Sequence, residues 1–193
     1  MHVRRWRIGD GLCRIALLVL LAAGCAARPP LTTQQLAALD HPPPQVVQKV
    51  ARFSLPAVAW IESVEKDFAT AGRSLTPAEI QMATEIGVKE PERIRGVVAK
   101  TFPLPNAPPL RALLTSYGLG SRSEGGRTMG AVIFLKPKYQ KDRSILAHEM
   151  VHVMQIERMS LQGFVSRYLT EVEMVGASAP LEAEGYRKMR KYR

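Results

Sequence analysis

The sequence predicts an α+β protein that is mostly helical and contains a small β-sheet. Apolar residues recur at helical spacing over several long segments, whereas residues 96–102 and 131–135 form short apolar runs typical of strands. The 193 residues are 46% hydrophobic and 23% charged, which is enough apolar material to bury the core of one domain. This composition excludes a wholly disordered chain, a collagen-like repeat and a disulfide scaffold.

The N-terminus is typical of a signal peptide. A basic stretch precedes an apolar run over residues 15–23, which is shorter than the roughly 20 residues that a membrane-spanning helix needs. The run ends in Leu21-Ala22-Ala23-Gly24-Cys25, which resembles a bacterial lipobox, in which the cysteine is acylated and becomes the first mature residue. We therefore interpret residues 1–24 as a lipoprotein signal peptide and Cys25 as the lipidation site; the alternative is an ordinary secretory peptide with an incidental cysteine.

Export changes how the charge of the chain is interpreted. The whole chain carries 27 basic and 17 acidic residues, and removal of residues 1–24 takes away four arginines and one aspartate, which leaves 23 against 16 and a charge of +7. The protein would be anchored in the cell envelope through Cys25, and by resemblance Ala26 after the cysteine implies an outer-membrane location facing the periplasm. We expect no nucleic-acid partner there; anionic lipid head groups or cell-wall polymers match the surplus charge better.

The mature chain divides into a tether and one domain. Residues 25–44 are rich in Pro, Thr and Gln, which predicts a flexible tether, and residues 45–193 form the domain. Helical spacing over 45–71, interrupted at Pro56, predicts two helices or one kinked helix. A capping box at Thr76-Pro77-Ala78-Glu79 predicts a helix over 77–86 that ends at Gly87.

The second half of the domain alternates short strands and long helices. Pro91 begins a short helical turn, and strand 96–102 leads into a proline-rich loop over 103–109. Five glycines between 118 and 130 predict a mobile loop or a hairpin end, which precedes strand 131–135. Helical patterns follow over 142–159 and 161–172 and again from Pro180.

His148, Glu149 and His152 lie in one helical segment with the spacing H-E-x-x-H. Residues four apart in a helix lie on nearly the same face and about 6 Å apart along the axis, so both imidazoles can reach one point. Two imidazoles at this spacing are typical of ligands to a shared metal ion. Glu149 is one step round the helix, where a carboxylate can take a proton from metal-bound water.

The neighbours of these polar residues predict that their helix is buried. They are apolar nearly all round the helix: Ile145, Leu146, Ala147, Met150, Val151, Val153, Met154 and Ile156. Burying Glu149 and two histidines costs several kcal/mol unless a partner compensates them, and Zn²⁺ would do so. The alternative is a structural polar cluster, in which the histidines bond to a glutamate or to the backbone.

A zinc site that keeps one position open for water needs a third protein ligand. A metzincin would have Gly and His at the positions of Gln155 and Arg158, so that pattern is excluded. No histidine follows His152, which leaves a carboxylate as the ligand. The candidates are Glu171, Glu173, Glu182 and Glu184. Glu182 and Glu184 are about 200° apart on a helix, so only one of them can face the metal.

These motifs resemble those of the gluzincins, zinc metallopeptidases with H-E-x-x-H on one helix and a glutamate ligand on a following helix. The resemblance is greatest to compact bacterial members with the patterns H-E-x-x-H-x-x-Q and P-L-E-x-E-A, and it covers roughly residues 75–187. It implies a zincin-like domain in which His148, His152 and Glu182 bind Zn²⁺ and Glu149 is the general base. Gly185 stands where those proteins usually have alanine.

The resemblance further implies a peptidase that hydrolyses peptide or protein substrates with a zinc-activated water. It implies that strand 131–135 lies at the edge of the sheet and pairs with an extended peptide. Tyr168, Tyr186 and Arg187 are candidates to stabilise the oxyanion, and the sequence does not rank them. The alternative function is a non-catalytic envelope lipoprotein with a structural or vestigial zinc site.

Overall fold

Helices surround a small mixed sheet in the computed structural model, which describes residues 30–193. The helices are α1 (Thr33–Asp40), α2 (Pro44–Phe68), α3 (Pro77–Ile86), α4 (Pro108–Ser116), α5 (Arg143–Met159), α6 (Leu161–Val175) and α7 (Pro180–Met189). The strands are β1 (Arg73–Ser74), β2 (Arg95–Val98), β3 (Gly126–Met129) and β4 (Val132–Leu135). Within the described residues they form one sheet in the order β1-β2-β4-β3, with β2 and β4 parallel and the other neighbours antiparallel. The predicted α+β class, mostly helical, is confirmed.

The predicted tether differs from the structure where the structure describes it. The signal peptide and Cys25 lie outside the described residues. Thr32 caps α1 through a reciprocal capping box with Gln35, and Leu39 at the other end of the helix is only 2% exposed. Asp40 accepts a 2.8 Å hydrogen bond from Arg167 of α6. Residues 33–40 are therefore a docked helix, because a cap and a buried leucine outweigh the proline-rich composition around them.

The predicted helices around the core agree closely with the structure. The segment with Pro56 is the single helix α2. The capping box at Thr76 begins α3, which ends at Gly87 in the left-handed conformation (φ 108°) that glycine adopts without strain. A short 3₁₀ turn begins at Pro91. In the part of the chain that the structure describes, no helix is long and apolar enough to cross a membrane.

Two elements between residues 99 and 130 differ from the sequence prediction. Strand β2 ends at Val98 rather than at 102, and Phe102 packs against Phe134 with ring centroids 5.8 Å apart. Helix α4 begins at Pro108, inside the loop predicted over 103–109, so that prolines lie in its first turn, and Leu110 and Leu114 are buried one turn apart. Its start is consistent with the preference of proline for the first helical position.

The edge of the sheet is not the strand that the family resemblance implied. Strand β4 corresponds to the predicted strand 131–135, but it lies between β2 and β3 and is fully buried. The edge beside α5 is β3, in the segment expected to be a mobile loop or hairpin end. The alternation of apolar residues does not predict strand β3, because one of its buried residues is Arg127. The charge of Arg127 is paired with Glu124 at 2.7 Å.

Helix α5 runs through the middle of the domain. It packs against α3, α6 and α7 and against β3 and β4, and its apolar residues join α3 and β4 in one hydrophobic cluster. Burial on nearly all sides agrees with its apolar sequence. Any polar side chain on α5 must therefore find its partners inside the protein.

The ion pair between β1 and α3 predicts how stability depends on pH. Arg73 donates to both carboxylate oxygens of Glu79 at 2.7 Å, and this bonding, against the opposing effect of burial, lowers the pKa of Glu79 from 4.5 to about 2. A lowered pKa stabilises the fold above pH 4.5, and this contribution is lost as the pH falls through about 2. We expect the difference in unfolding free energy between wild type and Glu79→Gln to be largest above pH 4.5 and to vanish near pH 2.

Urea unfolding at a series of pH values measures this difference. Glutamine at position 79 retains an oxygen for the capping box, so the comparison isolates the charge. A difference that stays constant across this pH range would contradict the prediction.

Candidate metal centre

Two imidazoles of α5 meet in the interior of the domain. His148 and His152 are 8% and 7% exposed, and their Nε2 atoms lie 3.1 Å apart. Asp142 begins the helix by accepting hydrogen bonds from the backbone N–H groups of Ser144 and Ile145. The helical spacing then brings both rings to one point, as the sequence predicts.

Glu182 of α7 completes the group. Its Oε2 lies 3.3 Å from His148 Nε2 and its Oε1 lies 3.6 Å from His152 Nε2. Ligand atoms around a tetrahedral ion with bonds of about 2.05 Å are separated by roughly 3.3 Å. These distances, and a donor set of two imidazole nitrogens and a carboxylate, fit one metal ion. His148, His152 and Glu182 form a group that could hold a metal ion.

The other candidate glutamates have different partners. Glu173 pairs with Lys49 of α2 and accepts a hydrogen bond from the Tyr117 hydroxyl. Glu184 accepts from Gln155 and from Arg158. Of the four carboxylates that the sequence left open, the structure thus brings Glu182 to the imidazoles.

Glu171 has a structural role that the sequence did not predict. Its carboxylate is 1% exposed. It accepts a 2.8 Å hydrogen bond from the backbone N–H of Leu181 and a 2.6 Å hydrogen bond from Arg167. Helix α7 has no side-chain cap of its own, because Ala179 occupies the capping position. Glu171 therefore caps α7 from the neighbouring helix and fixes the backbone next to Glu182.

The carboxylate of Glu182 is held in its charged form. Burial alone would raise its pKa, but the hydrogen bond from His148 and the charge interactions with both imidazoles lower it to about 2. The Tyr168 hydroxyl donates to Glu182 Oε1 at 3.0 Å. Burial and the adjacent carboxylate raise the pKa of Tyr168 well above 10, so this hydroxyl remains a donor. Tyr168 thus orients a candidate ligand.

Glu149 lies in the same interior with a different environment. Its Oε2 is 2.8 Å from the Thr128 hydroxyl of β3, and a Cβ on Gly126 would lie 2.7 Å from its Oε1. Burial raises the pKa of Glu149 to about 7, although the charge of His152 and the Thr128 hydroxyl act to lower it. The sequence predicted no role for Thr128 or Gly126, because both belong to strand β3, which it did not predict.

The remaining oxyanion candidates lie on α7. The Tyr186 ring packs 4.7 Å from the His148 ring, centroid to centroid, and is 44% exposed. Arg187 is exposed. Tyr186 is thus an aromatic side chain that contacts a candidate ligand and also reaches solvent.

Gly185 permits the close approach of α7 to α5. A Cβ built on Gly185 would lie 2.7 Å from both Cε1 and Nδ1 of His148, a distance that no relaxed structure contains. The glycine therefore occupies a position where even a methyl group collides with a candidate ligand.

Gly185→Ala tests this constraint. Alanine gains about 1 kcal/mol of helix propensity over glycine, but the methyl group displaces the His148 ring, and overpacking costs about 1–3 kcal/mol. We expect the variant to be less stable than wild type by about 1 kcal/mol in urea unfolding. The matched control is Gly163→Ala in α6, where the nearest atoms are 3.4 Å away; it should gain stability by up to about 1 kcal/mol. Equal gains in both variants would contradict the close approach.

Comparisons with known proteins give the chain no family name. No family model, no curated protein and no solved structure matches it.

Proposed function

We propose that the protein is a zinc-dependent peptidase. The observation that carries this proposal is the meeting of His148, His152 and Glu182 at one buried point, with Glu149 on the next position of the same helix. Two imidazoles and one carboxylate are the donor set of many catalytic zinc sites, which leave a fourth position open. A buried site of this kind beside a second carboxylate supports hydrolysis more than a purely structural role.

Bound zinc would supply a Lewis acid that polarises the peptide carbonyl and lowers the pKa of a water from 15.7 to about 7. Glu149 accepts the proton of the attacking water. The Thr128 hydroxyl lies 2.8 Å from Oε2 of Glu149 and orients this carboxylate. Glu149 then passes the proton to the amine nitrogen that leaves. Glu182, kept ionised by its neighbours, would hold the metal together with the two imidazoles.

Strand β3 provides a place for an extended substrate. It is an edge strand of the sheet in the described residues, and Gly126 and Thr128 bring its backbone and hydroxyl next to Glu149. An extended peptide added to this edge would pair with main-chain groups of β3 and pass beside the general base. This replaces the role that the resemblance gave to residues 131–135.

The family and the location belong to the same proposal. The motifs H-E-x-x-H-x-x-Q and P-L-E-x-E support membership of the gluzincins. The N-terminal signal with its lipobox supports attachment through a lipid on Cys25, in the outer membrane and facing the periplasm. Peptide or protein substrates would then be those of the cell envelope.

Metal analysis tests the ligand set. We expect the purified domain to bind about one zinc ion per chain, and Glu182→Gln to weaken zinc binding at least tenfold because it removes a charged ligand. The matched control is Glu173→Gln, the same change at a carboxylate paired with Lys49 and Tyr117, which should bind zinc as wild type does. A wild-type domain that binds no zinc in competition with a chelator would overturn the proposal.

Glu149→Gln tests the reaction. Glutamine cannot accept the proton, so we expect hydrolysis of quenched fluorescent peptides to fall at least 100-fold while zinc content is unchanged. Glu157→Gln makes the same change on the same helix, at a carboxylate that binds the backbone N–H groups of Lys89 and Glu90, and should keep its activity. Zinc binding without any hydrolysis by wild type would instead favour the non-catalytic lipoprotein.

A further inference from the structure

Two motif residues that the proposed reaction does not use meet each other in the structure. Gln155 ends the pattern H-E-x-x-H-x-x-Q, and Glu184 is the second glutamate of P-L-E-x-E; they are 29 residues apart. Gln155 is completely buried, and its Nε2 donates to Glu184 Oε2 at 2.9 Å and to the Leu181 carbonyl at 3.0 Å. Its Oε1 lies 2.9 Å from Nδ1 of His152.

These partners determine which way each hydrogen bond runs. The Leu181 carbonyl and the Glu184 carboxylate can only accept, so the amide NH₂ of Gln155 must face them. The amide oxygen is then left facing His152, and an oxygen accepts. Nδ1 of His152 must therefore carry a hydrogen. In the neutral form of the ring, which is the form that binds a metal, the lone pair is then on Nε2, directed at His148 and Glu182.

The geometry points to a positioning relay in which Glu184 orients Gln155, and Gln155 fixes His152 in the tautomer that binds metal through Nε2. The inference rests on the metal site of the proposed function and adds residues that do not touch the metal. Outer partners of this kind orient ligating imidazoles and strengthen metal binding.

The relay joins the two helices that supply the ligands. Leu181, which accepts from Gln155, adjoins Glu182, so one buried amide contacts the second histidine and the backbone beside the third ligand. At the outer end of the relay, Glu184 also accepts a 3.1 Å hydrogen bond from Arg158. The side chain of Arg158 is 52% exposed. His148 has no such support: its Nδ1 is buried without a hydrogen-bond partner among the described residues.

A double-mutant cycle on zinc affinity tests the relay. Chelator competition at one fixed pH gives the zinc Kd of wild type, Gln155→Leu, Glu184→Leu and the double variant. We expect Gln155→Leu to weaken zinc binding by about 10–100-fold and Glu184→Leu by less, because Gln155 keeps its bond to Leu181. The double variant should bind no more weakly than Gln155→Leu, because Glu184 acts through Gln155.

The tautomer of His152 provides a readout besides affinity. Nitrogen NMR of the metal-free protein, at a pH at which the His152 ring is neutral, should show Nδ1 protonated in wild type and a mixture of tautomers in Gln155→Leu. The matched control is Gln81→Leu on α3, where an exposed glutamine bonds to Glu85 one turn away; it should change neither quantity. If Gln155→Leu does not fold, the zinc Kd and the His152 tautomer are measured on Glu184→Leu instead, with a smaller expected loss of affinity.

The outcomes separate the relay from the proposed function. Unchanged zinc affinity and an unchanged His152 tautomer in a folded Gln155→Leu protein would overturn the relay and leave the zinc site intact. If the losses of zinc affinity in the two single variants add up in the double variant, the relay would also be overturned. Glu184 would then act on the site by its charge alone and not through Gln155. If wild type binds no zinc, the proposed function is wrong, and the tautomer in the metal-free protein decides whether Gln155 fixes His152.

Discussion

The close packing of α7 against α5 is the constraint on which the site depends. Three polar side chains meet in an apolar interior, and each would be costly to bury without the others. Their meeting requires α7 to approach α5 until no room remains for a Cβ on Gly185 beside the His148 ring. Glu171 of α6 binds the first turn of α7, and Gln155 of α5 binds the Leu181 carbonyl, so that together they fix the position of the approaching backbone. The interhelical contact is therefore part of the site.

The same interior gives two carboxylates opposite properties. Glu182 lies between two imidazoles and a tyrosine hydroxyl, so its pKa falls to about 2 despite burial. Glu149 faces β3 with one hydroxyl as its partner, and burial raises its pKa to about 7. A group that stays ionised suits a ligand, whereas a group whose pKa is near neutral suits proton transfer. The surroundings of the two carboxylates thus differ in the direction that their proposed roles require.

The sequence predicted what local periodicity determines. The facing imidazoles of His148 and His152 follow from 3.6 residues per turn, and the capping box at Thr76 determined where α3 begins. Sequence spacing could not determine which of the four glutamates lies beside the imidazoles, because this depends on how α7 packs. It also missed β3, where Arg127 is buried through its bond to Glu124, and α1, whose Leu39 is buried in the domain. Each miss involves a partner distant in sequence or a charge neutralised inside the fold.

The missed strand shows how remote contacts shape the site. Arg127 pairs with Glu124 and also donates to the Pro103 carbonyl, and its guanidinium lies 5.3 Å from the centre of the Phe102 ring. Losing one member of a buried pair costs about 3–5 kcal/mol, so this contact holds the last residues of the glycine-rich segment in place. Thr128, one residue further along β3, thereby reaches Glu149. The position of the side chain that contacts Glu149 thus depends on an ion pair that contacts none of the candidate ligands.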